Sequence, residues 1–229
     1  MKVSLVIPCY NEAKNLPTLI DRCEELVTKY SVEVIFVDNG STDKSHEVIQ
    51  EYPFIHLVRV KKNRGYGFGI IQGLKQASGD ILSWTHADLQ TDPKDLIRGL
   101  LYFKSSKNPE KLFVKGNRKG RPILDDIFTL SMSLFEILLL RTLMWDINAQ
   151  PTIFHKSFLQ KWLQPPKDFS LDLYAYFMAK NSNMEVKRFP VEFSKRLHGV
   201  SNWNMNLAGK YKFIKRTLLY SFMLKKKLG

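Results

Sequence analysis

The stretch Val3-Ser-Leu-Val-Ile-Pro-Cys-Tyr-Asn-Glu12 decides the fold class of this 229-residue chain. Its first five residues form an apolar run that ends at Pro8, as expected of a strand buried on both faces. The segment Asn15–Tyr30 then places apolar side chains at helical spacing and tolerates Pro17 in its first turn. A buried strand followed at once by an amphipathic helix predicts the first unit of an α/β fold.

The same alternation of strand and helix continues along the first half of the chain. Strands are predicted at Val32–Val37, Ile55–Val60 and Ile81–Thr85. Helices are predicted to begin at Ser41–Asp43, with hydroxyl and carboxylate capping groups, and to cover Gly67–Ala77. Successive strand–helix units predict a doubly wound, mostly parallel sheet flanked by helices.

The second half of the chain has a more mixed pattern. Its predicted elements are a long apolar helix at Asp125–Trp145, a strand and turn at Ile153–Trp162, a helix at Ser170–Lys180, a strand at Glu185–Phe193 and a basic helix at Leu207–Leu228. No internal repeat or low-complexity linker separates these elements, so the pattern predicts no sharp domain boundary.

The formal net charge of +13 is the unusual feature of the composition. Basic residues concentrate at Lys115–Arg121, Lys187–Arg196 and Lys210–Lys227. Such an excess favours an anionic partner: nucleic acid, a phosphorylated small molecule or an anionic membrane surface. No nucleic-acid-binding motif accompanies the charge, so we expect no nucleic acid.

The number of cysteines and the hydropathy of the chain indicate the cellular compartment in which we expect it to act. Cys9 and Cys23 are too few for a disulfide framework or a zinc site, and they fit a reducing cytosol. Cys9 follows an apolar run and is predicted to be buried. No secretory signal is apparent, and no run reaches the ~18–20 apolar residues that a membrane-spanning helix needs. We therefore expect a cytoplasmic chain that is soluble or attached peripherally to a membrane.

Polar residues follow three of the predicted strands, at Pro8–Glu12, Asp38–Asp43 and His86–Gln90. Ligands of doubly wound sheets bind at such strand ends. Asp88 and Gln90 can turn a carboxylate and an amide oxygen towards a hard divalent ion, such as Mg²⁺ or Mn²⁺. The alternative is an aspartate that only caps the next helix, and the pair alone does not decide between the two.

Five short motifs occur in one order along the first part of the chain. They are Pro8-Cys-Tyr-Asn-Glu12, Val37-Asp-Asn-Gly-Ser-Thr-Asp43, Asn63-Arg-Gly-Tyr-Gly67, Ala77-Ser-Gly-Asp80 and His86-Ala-Asp-Leu-Gln90. In this order and spacing they resemble the family 2 glycosyltransferases, most closely the polyprenyl-phosphate branch of dolichyl-phosphate mannosyltransferase-like enzymes. The resemblance implies a GT-A type, Rossmann-like fold.

Two later segments extend the resemblance to residue 205. They are Asp146-Ile-Asn-Ala-Gln-Pro151 and Arg196-Leu-His-Gly-Val-Ser201. The implied organisation is a glycosyltransferase domain at 1–205, with a nucleotide-sugar-binding half at 1–115 and an acceptor half at 116–205, followed by a basic amphipathic helix at 206–229.

The resemblance also implies where the substrates and a metal would bind. The residues implied for the nucleotide-sugar donor are Pro8, Tyr10, Asn11, Glu12, Asp38, Asn63, Gly65, Ala87 and Asp88. Those implied for anionic oxygens of the acceptor or the donor are Arg118, Arg196 and Ser201. Asp88 would coordinate Mg²⁺ or Mn²⁺ on the diphosphate, with Gln90 beside it. Asp88 and Arg196 would be catalytic, because a departing nucleoside diphosphate develops negative charge.

Two departures from the family pattern concern the metal. The family usually has an acidic residue where this chain has His86, and often an aspartate where it has Asn39. A neutral imidazole can still bind Mn²⁺ or touch phosphate, so His86 is a further candidate ligand, although one ligand charge is lost. This loss also raises the hypothesis of a catalytically inactive binding module.

Asp172 is the candidate general base. A phosphate acceptor is already an anionic nucleophile, whereas a sugar hydroxyl must give its proton to a base. Asp172 falls where related hydroxyl-acceptor enzymes carry an acidic base, and its alternative role is a charge at the start of a helix. The sequence leaves both roles open.

The C-terminal helix combines lysines with an apolar stripe. The stripe consists of Leu207, Tyr211, Ile214, Leu218 and Phe222, at steps of three and four. This pattern predicts an amphipathic helix on an anionic membrane surface, and a solvated tail or a protein contact is the alternative.

These patterns together predict a metal-dependent, inverting hexosyltransferase. It would move a sugar from a GDP- or UDP-sugar to a polyprenyl phosphate at the cytoplasmic face of a membrane, with or without a separate membrane-anchoring protein. The alternative keeps the fold and donor but uses a saccharide hydroxyl as acceptor, in cell-surface polysaccharide synthesis.

Overall fold

The computed structural model describes residues 1–198 and 207–228. Its strands are β1 (Val3–Cys9), β2 (Val32–Asn39), β3 (His56–Val60), β4 (Ile81–Trp84), β5 (Leu112–Lys119), β6 (Thr152–His155) and β7 (Glu185–Glu192). Its α-helices are α1 (Leu16–Thr28), α2 (Ser45–Gln50), α3 (Tyr66–Gln76), α4 (Asp95–Ser105), α5 (Ile123–Leu140), α6 (Leu171–Asn181) and α7 (Leu207–Leu228). Short 3₁₀ helices cover Pro109–Lys111 and Lys156–Lys161.

The strands form one sheet in the order β3-β2-β1-β4-β6-β5-β7. The pairs β1/β2, β1/β4, β2/β3 and β5/β7 are parallel, and β6 runs antiparallel to both of its neighbours. The predicted doubly wound, mostly parallel sheet is therefore confirmed. The sequence interpretation missed α4 and β5.

Strand β1 shows why the apolar run at the start of the chain determines this architecture. Every residue of the strand is buried. Leu5 and Ile7 pack into the core that α1 and α4 cover, whereas Val6 packs into the core on the other face, beneath α3 and α6. A run without polar alternation is what a strand covered on both faces requires. Cys9 is buried at its end, as predicted.

Helix α2 begins later than predicted, at Ser45 instead of Ser41–Asp43. The backbone N–H groups that would have started the helix are bound elsewhere. Ser41 donates to Oδ1 of Asp38 at 2.9 Å, and Thr42 donates to Oδ1 of Asn11 at 2.8 Å. The segment is therefore a loop fastened to two strand ends. The long helix also ends earlier than predicted, at Leu140, because Arg141 adopts a left-handed backbone (φ 51°).

Lys115 corrects part of the expectation that the basic residues of Lys115–Arg121 favour an anionic partner. It lies within β5 and is completely buried. Its Nζ donates to Oγ1 of Thr152 at 2.6 Å and lies 3.7 Å from Oδ1 of Asp172. Its charge is therefore paired inside the core and does not contribute to an anion-binding surface.

Helix α7 packs along α5. Leu224 and Ser221 of α7 are buried, and the Phe222 ring meets Phe135 edge to face at 6.2 Å. The outward sides of the two helices carry exposed apolar residues: Ile123, Leu124, Ile127, Leu130, Leu134, Leu138, Tyr211, Leu219 and Phe222. Within residues 1–198 and 207–228, no helix combines the length and apolar character needed to cross a bilayer.

Candidate active site

The carboxyl ends of β1 and β2 are joined by side chains. Asn11 donates its backbone N–H to Oγ of Ser41 at 3.1 Å, and Glu12 donates to Oγ of Ser45 at 2.9 Å. These bonds bring the Pro8–Glu12 and Asp38–Asp43 segments together, as the parallel pairing of Cys9 with Asp38 requires. Tyr10 is 36% exposed at this edge, so its ring remains available to a ligand.

Asp38 is almost completely buried at the end of β2. One carboxylate oxygen accepts the Ser41 N–H, and the other lies 3.4 Å from Nδ1 of His46. The carboxylate thus orders the loop after its own strand.

Arg196 connects two strand ends. Its guanidinium lies 2.9 Å from Oδ2 of Asp88, after β4, and 3.5 Å from Oε1 of Glu12, after β1. Burial raises the pKa of Glu12, whereas the hydrogen bond from Asn15 and the charge of Arg196 oppose the rise. One predicted donor residue, one predicted metal ligand and one predicted phosphate contact therefore lie together, although 108 residues separate Asp88 from Arg196.

The segment His86–Gln90 makes a tight turn after β4. Asp88, 8% exposed, accepts the Gln90 N–H on Oδ1 at 3.1 Å, and Nε2 of Gln90 donates to the Ser194 carbonyl at 3.3 Å. Leu89 adopts a left-handed backbone (φ 58°) and buries its side chain in the core, as does Ala87. A positive φ is unfavourable for leucine, so packing must hold this turn.

The donor set at this turn fits a divalent ion held jointly with a substrate. Among residues 1–198 and 207–228, no group of three or more His, Cys, Asp or Glu side chains could form a metal cage. Mg²⁺ commonly binds one or two carboxylates plus substrate phosphates, and Asp88 with a diphosphate would match that pattern. The His86 ring stacks on Tyr66, with 5.3 Å between the centroids.

Asn63 and Gly65 lie in the turn before α3. Oδ1 of Asn63 accepts the Gly65 N–H at 2.9 Å, and Asn39 donates its side-chain N–H to the Gly65 carbonyl at 2.9 Å. Asn39, which departs from the family pattern, thus fastens this turn to the end of β2.

Arg118 is held by a partner that the sequence interpretation did not assign. Asp146 accepts from the Arg118 backbone N–H at 2.9 Å and from its Nε at 2.8 Å, and also from Nη2. Burial alone would raise the pKa of Asp146, but the Arg118 charge and hydrogen bonds lower it. Arg118 also lines a cavity of about 60 Å³ near α5, α6 and α7. Ser201, the third predicted phosphate contact, lies outside the described residues.

Asp172 belongs to a buried polar cluster beneath the site. It is 1% exposed, and Oδ1 accepts from Nε2 of Gln150 at 2.6 Å and from Nε1 of Trp84 at 3.2 Å. Lys115 completes the cluster, and burial, partly opposed by Asp172, lowers the pKa of this lysine to about 8. A lysine inside the apolar run Leu112-Phe-Val-Lys115 was the sequence signal for a buried ion pair.

Solved structures share this arrangement of the chain. Glucosyl-3-phosphoglycerate synthase from Mycobacterium tuberculosis in complex with Mn²⁺, UDP and glucosyl-3-phosphoglycerate aligns with a TM-score of 0.73 at 15% identity, over 98% of this chain and 79% of that one. The same protein with Mg²⁺ and UDP aligns with a TM-score of 0.72 at 15% identity, over 96% and 79% of the two chains. The protein therefore has the fold of the GT-A glycosyltransferases.

The sequence places the chain within a family of that class. Residues 4–143 match the sequence model of Glycosyl transferase family 2, and the chain belongs to this family. Undecaprenyl-phosphate 4-deoxy-4-formamido-L-arabinose transferases from Photorhabdus laumondii and Yersinia pestis are each 42% identical over 106 residues. The match covers 42% of this chain and 32% of each relative, so the chain aligns with about a third of their length.

Proposed function

We propose that this chain transfers a sugar from a nucleoside diphosphate sugar to a polyprenyl phosphate, with inversion, on the cytoplasmic side of a membrane. The observation that carries the proposal is the cluster of Arg196, Asp88 and Glu12 at the carboxyl edge of a family 2 glycosyltransferase sheet. Positive charge beside a candidate metal ligand suits a reaction that releases a nucleoside diphosphate.

The donor would lie across the ends of β1, β2 and β4. In this role Tyr10 offers an exposed ring to the base, and Asp38 orders the loop that surrounds it. Asp88, with Gln90 beside it, would hold Mg²⁺ or Mn²⁺ on the diphosphate, and the ion would neutralise charge on the leaving group. The complexes of the mycobacterial enzyme with UDP and either Mn²⁺ or Mg²⁺ support a UDP-sugar as the donor. The assay described below also includes a GDP-sugar.

The buried position of Asp172 favours a phosphate acceptor. A general base must come within hydrogen-bond reach of the proton it removes. Asp172 instead accepts bonds from Gln150 and Trp84 and lies next to Lys115. A phosphate oxygen needs no base, so a transferase with this residue enclosed can act on a polyprenyl phosphate. The names of the relatives support the same acceptor.

The outward faces of α5 and α7 would seat the protein on the membrane that holds this acceptor. Leu124 and Leu138 are 79% and 78% exposed, and the exposed Lys225–Lys227 lie at the end of α7. Apolar burial together with lysine attraction to anionic lipid is how interfacial helices bind.

A partition assay tests the proposal. Purified protein is incubated with Mn²⁺, labelled UDP- or GDP-sugars, and vesicles that contain polyprenyl phosphate, and the label is then extracted into organic solvent. We expect label in the lipid fraction and a loss of at least about 100-fold in Asp88→Asn. The matched control Asp92→Asn changes a half-exposed surface aspartate and should keep wild-type transfer.

Two results would contradict this proposal. Label that appears only on an added water-soluble saccharide would favour the hydroxyl-acceptor alternative. Failure to transfer or to hydrolyse any donor would favour an inactive binding module.

A further inference from the structure

Tyr66 is the middle ring of a three-ring stack beside the active-site cluster. Its ring lies 4.6 Å from that of Phe169, at an angle of 9°, and 5.3 Å from that of His86, at 27°. His86 begins the turn that carries Asp88 and Gln90. The stack therefore joins α3, the loop before α6 and the candidate metal-binding turn.

Backbone contacts hold Tyr66 in this position. Gly65 has φ +102°, and a Cβ atom there would lie 2.3 Å from the Lys167 carbonyl oxygen. A Cβ atom at Gly67 would lie 2.6 Å from the Pro166 oxygen. The Phe68 N–H donates to the Lys167 carbonyl at 2.9 Å. The two glycines thus allow the backbone of the loop before α6 to come close to the chain on both sides of Tyr66.

The hydroxyl of Tyr66 is tied to the buried polar cluster. Nε2 of Gln150 lies 3.4 Å from this hydroxyl and donates to Asp172 at 2.6 Å. Burial, and then the negative charges of Asp172 and Asp88, raise the pKa of Tyr66, so the hydroxyl stays neutral. Tyr66 is thereby held at its ring and at its hydroxyl.

We propose that Tyr66 is a positioning residue, which acts through the ring of His86 to hold the His86–Gln90 turn so that Asp88 faces the metal and diphosphate. The turn needs such support because Leu89 adopts an unfavourable left-handed backbone. Stacked aromatic rings have a preferred geometry as well as buried area, so they can fix an orientation. This role rests on the proposed function, because it presumes a donor diphosphate at the same turn.

The test compares Tyr66→Phe, which keeps the ring, with Tyr66→Leu, which removes it. Calorimetry measures the dissociation constants of UDP and of GDP with and without Mn²⁺, and steady-state assays measure kcat and KM. We expect Tyr66→Leu to weaken the Mn²⁺-dependent part of nucleotide binding about tenfold and to lower kcat by about 10- to 100-fold. Nucleotide binding without metal should stay near the wild-type value. Tyr66→Phe should retain most of both quantities.

Two further variants separate positioning from general packing. Tyr102→Leu removes a ring that packs on Phe189, outside the stack, and should leave the metal dependence unchanged. Phe169→Leu removes the ring on the other side of Tyr66 and should weaken Mn²⁺-dependent binding in the same direction. It provides the test if Tyr66→Leu does not fold.

The possible results distinguish this inference from the proposed function. A Tyr66→Leu or Phe169→Leu protein that melts at a lower temperature but binds Mn²⁺ and nucleotide like wild type would overturn the positioning role and leave the transferase proposal intact. A wild-type protein that binds neither UDP nor GDP in the presence of Mn²⁺ would overturn both.

Discussion

The charged and ring contacts of single residues differ in whether a ligand can reach them, as Arg196, His86 and Lys115 show. Arg196 makes its ion pairs with Asp88 and Glu12 at the partly open edge of the sheet, where a ligand can replace them. Lys115 makes its pair in the closed core, where no ligand can reach it. His86 lies between these cases, because its ring is stacked on Tyr66 at the start of the turn that carries the candidate metal ligand Asp88.

Replacing His86 tests its contribution to the metal. His86→Asp adds a carboxylate, so we expect tighter Mg²⁺ activation and a shift away from Mn²⁺. His86→Asn is the matched control, since it removes the ring without adding charge. The measurement is a titration of transfer activity with each ion. If both ions titrate in His86→Asp as they do in His86→Asn, His86 lies outside the coordination shell.

Removing Lys115 should leave the buried charge of Asp172 without the partner that it has in the ion pair. We expect Lys115→Met to lower the free energy of unfolding by about 3–5 kcal/mol, because one partner of a buried ion pair is left alone. The double variant Lys115→Met/Asp172→Leu should recover part of this loss. Urea denaturation measures both, beside the control Lys111→Met at an exposed site. A loss no larger than that of Lys111→Met would show that the pair contributes nothing.

At the scale of elements, the contact between α5 and α7 contains a carboxyl group whose protonation changes near neutral pH. Glu136 of α5 is buried and accepts a hydrogen bond from Oγ of Ser221 at 2.6 Å. Burial raises its pKa from the ordinary 4.5 to about 7, opposed by this bond. Between these two values the folded chain keeps a proton that the unfolded chain has lost. The contribution of Glu136 to the free energy of unfolding is therefore fully present below pH 4.5, and it is lost as the pH rises through about 7.

Glu136→Gln should remove this dependence. Relative to wild type, the variant should gain up to about 3 kcal/mol in the free energy of unfolding as the pH rises from 4.5 to 8, from the size of the pKa shift. Unfolding curves over this range measure it, with the exposed Glu110→Gln as control. Parallel profiles for wild type and Glu136→Gln would mean that the carboxyl is ionised throughout.

The exposed face of α5 is predicted to insert into lipid. Leu124→Asp/Leu138→Asp should reduce flotation with vesicles while the melting temperature stays unchanged, because both side chains already face outward. Leu101→Asp changes another exposed leucine, on α4, and serves as the control. Equal flotation of wild type, the double variant and Leu101→Asp would argue against membrane contact through α5.

The whole molecule is strongly basic, with a net charge of +13, and this charge should attract it to anionic membranes. Changing Lys225, Lys226 and Lys227 to glutamate should release the protein from anionic vesicles, since each lysine contributes about 1 kcal/mol. Transfer to polyprenyl phosphate should fall much more than donor hydrolysis. Flotation at low and high salt checks the electrostatic origin, because screening shortens to about 8 Å near physiological ionic strength.

A charge-matched variant completes this test. Lys104 is exposed in the last turn of α4, and Lys107 and Lys111 are exposed between α4 and β5. Replacing these three lysines by glutamate changes the net charge equally. If both triple variants lose flotation to the same degree, net charge alone directs the protein and α7 has no special part. If donor hydrolysis falls as far as transfer in the α7 variant, the helix serves the fold and not the membrane.

The sequence by itself determined the strand ends and the family. The apolar run at Val3–Ile7 predicts a strand covered on both faces. The short motifs after successive strands are expected to meet, because parallel strands end at one edge. Elements with a strong local pattern were predicted with small errors at their ends. The start of α2 was missed because side chains distant in sequence bind the N–H groups of Ser41 and Thr42.

Only the tertiary structure decided which charges are free and which are paired. Arg118 meets Asp146 across 28 residues, and Arg196 meets Asp88 across 108. Lys115 and Asp172 are buried together, although the sequence places the lysine among the basic residues that favour an anionic partner. The stack of His86, Tyr66 and Phe169 likewise joins three separate segments. Periodicity and short motifs report on neighbours along the chain, whereas desolvation and ion pairing depend on neighbours in space, which exist only after the chain has folded.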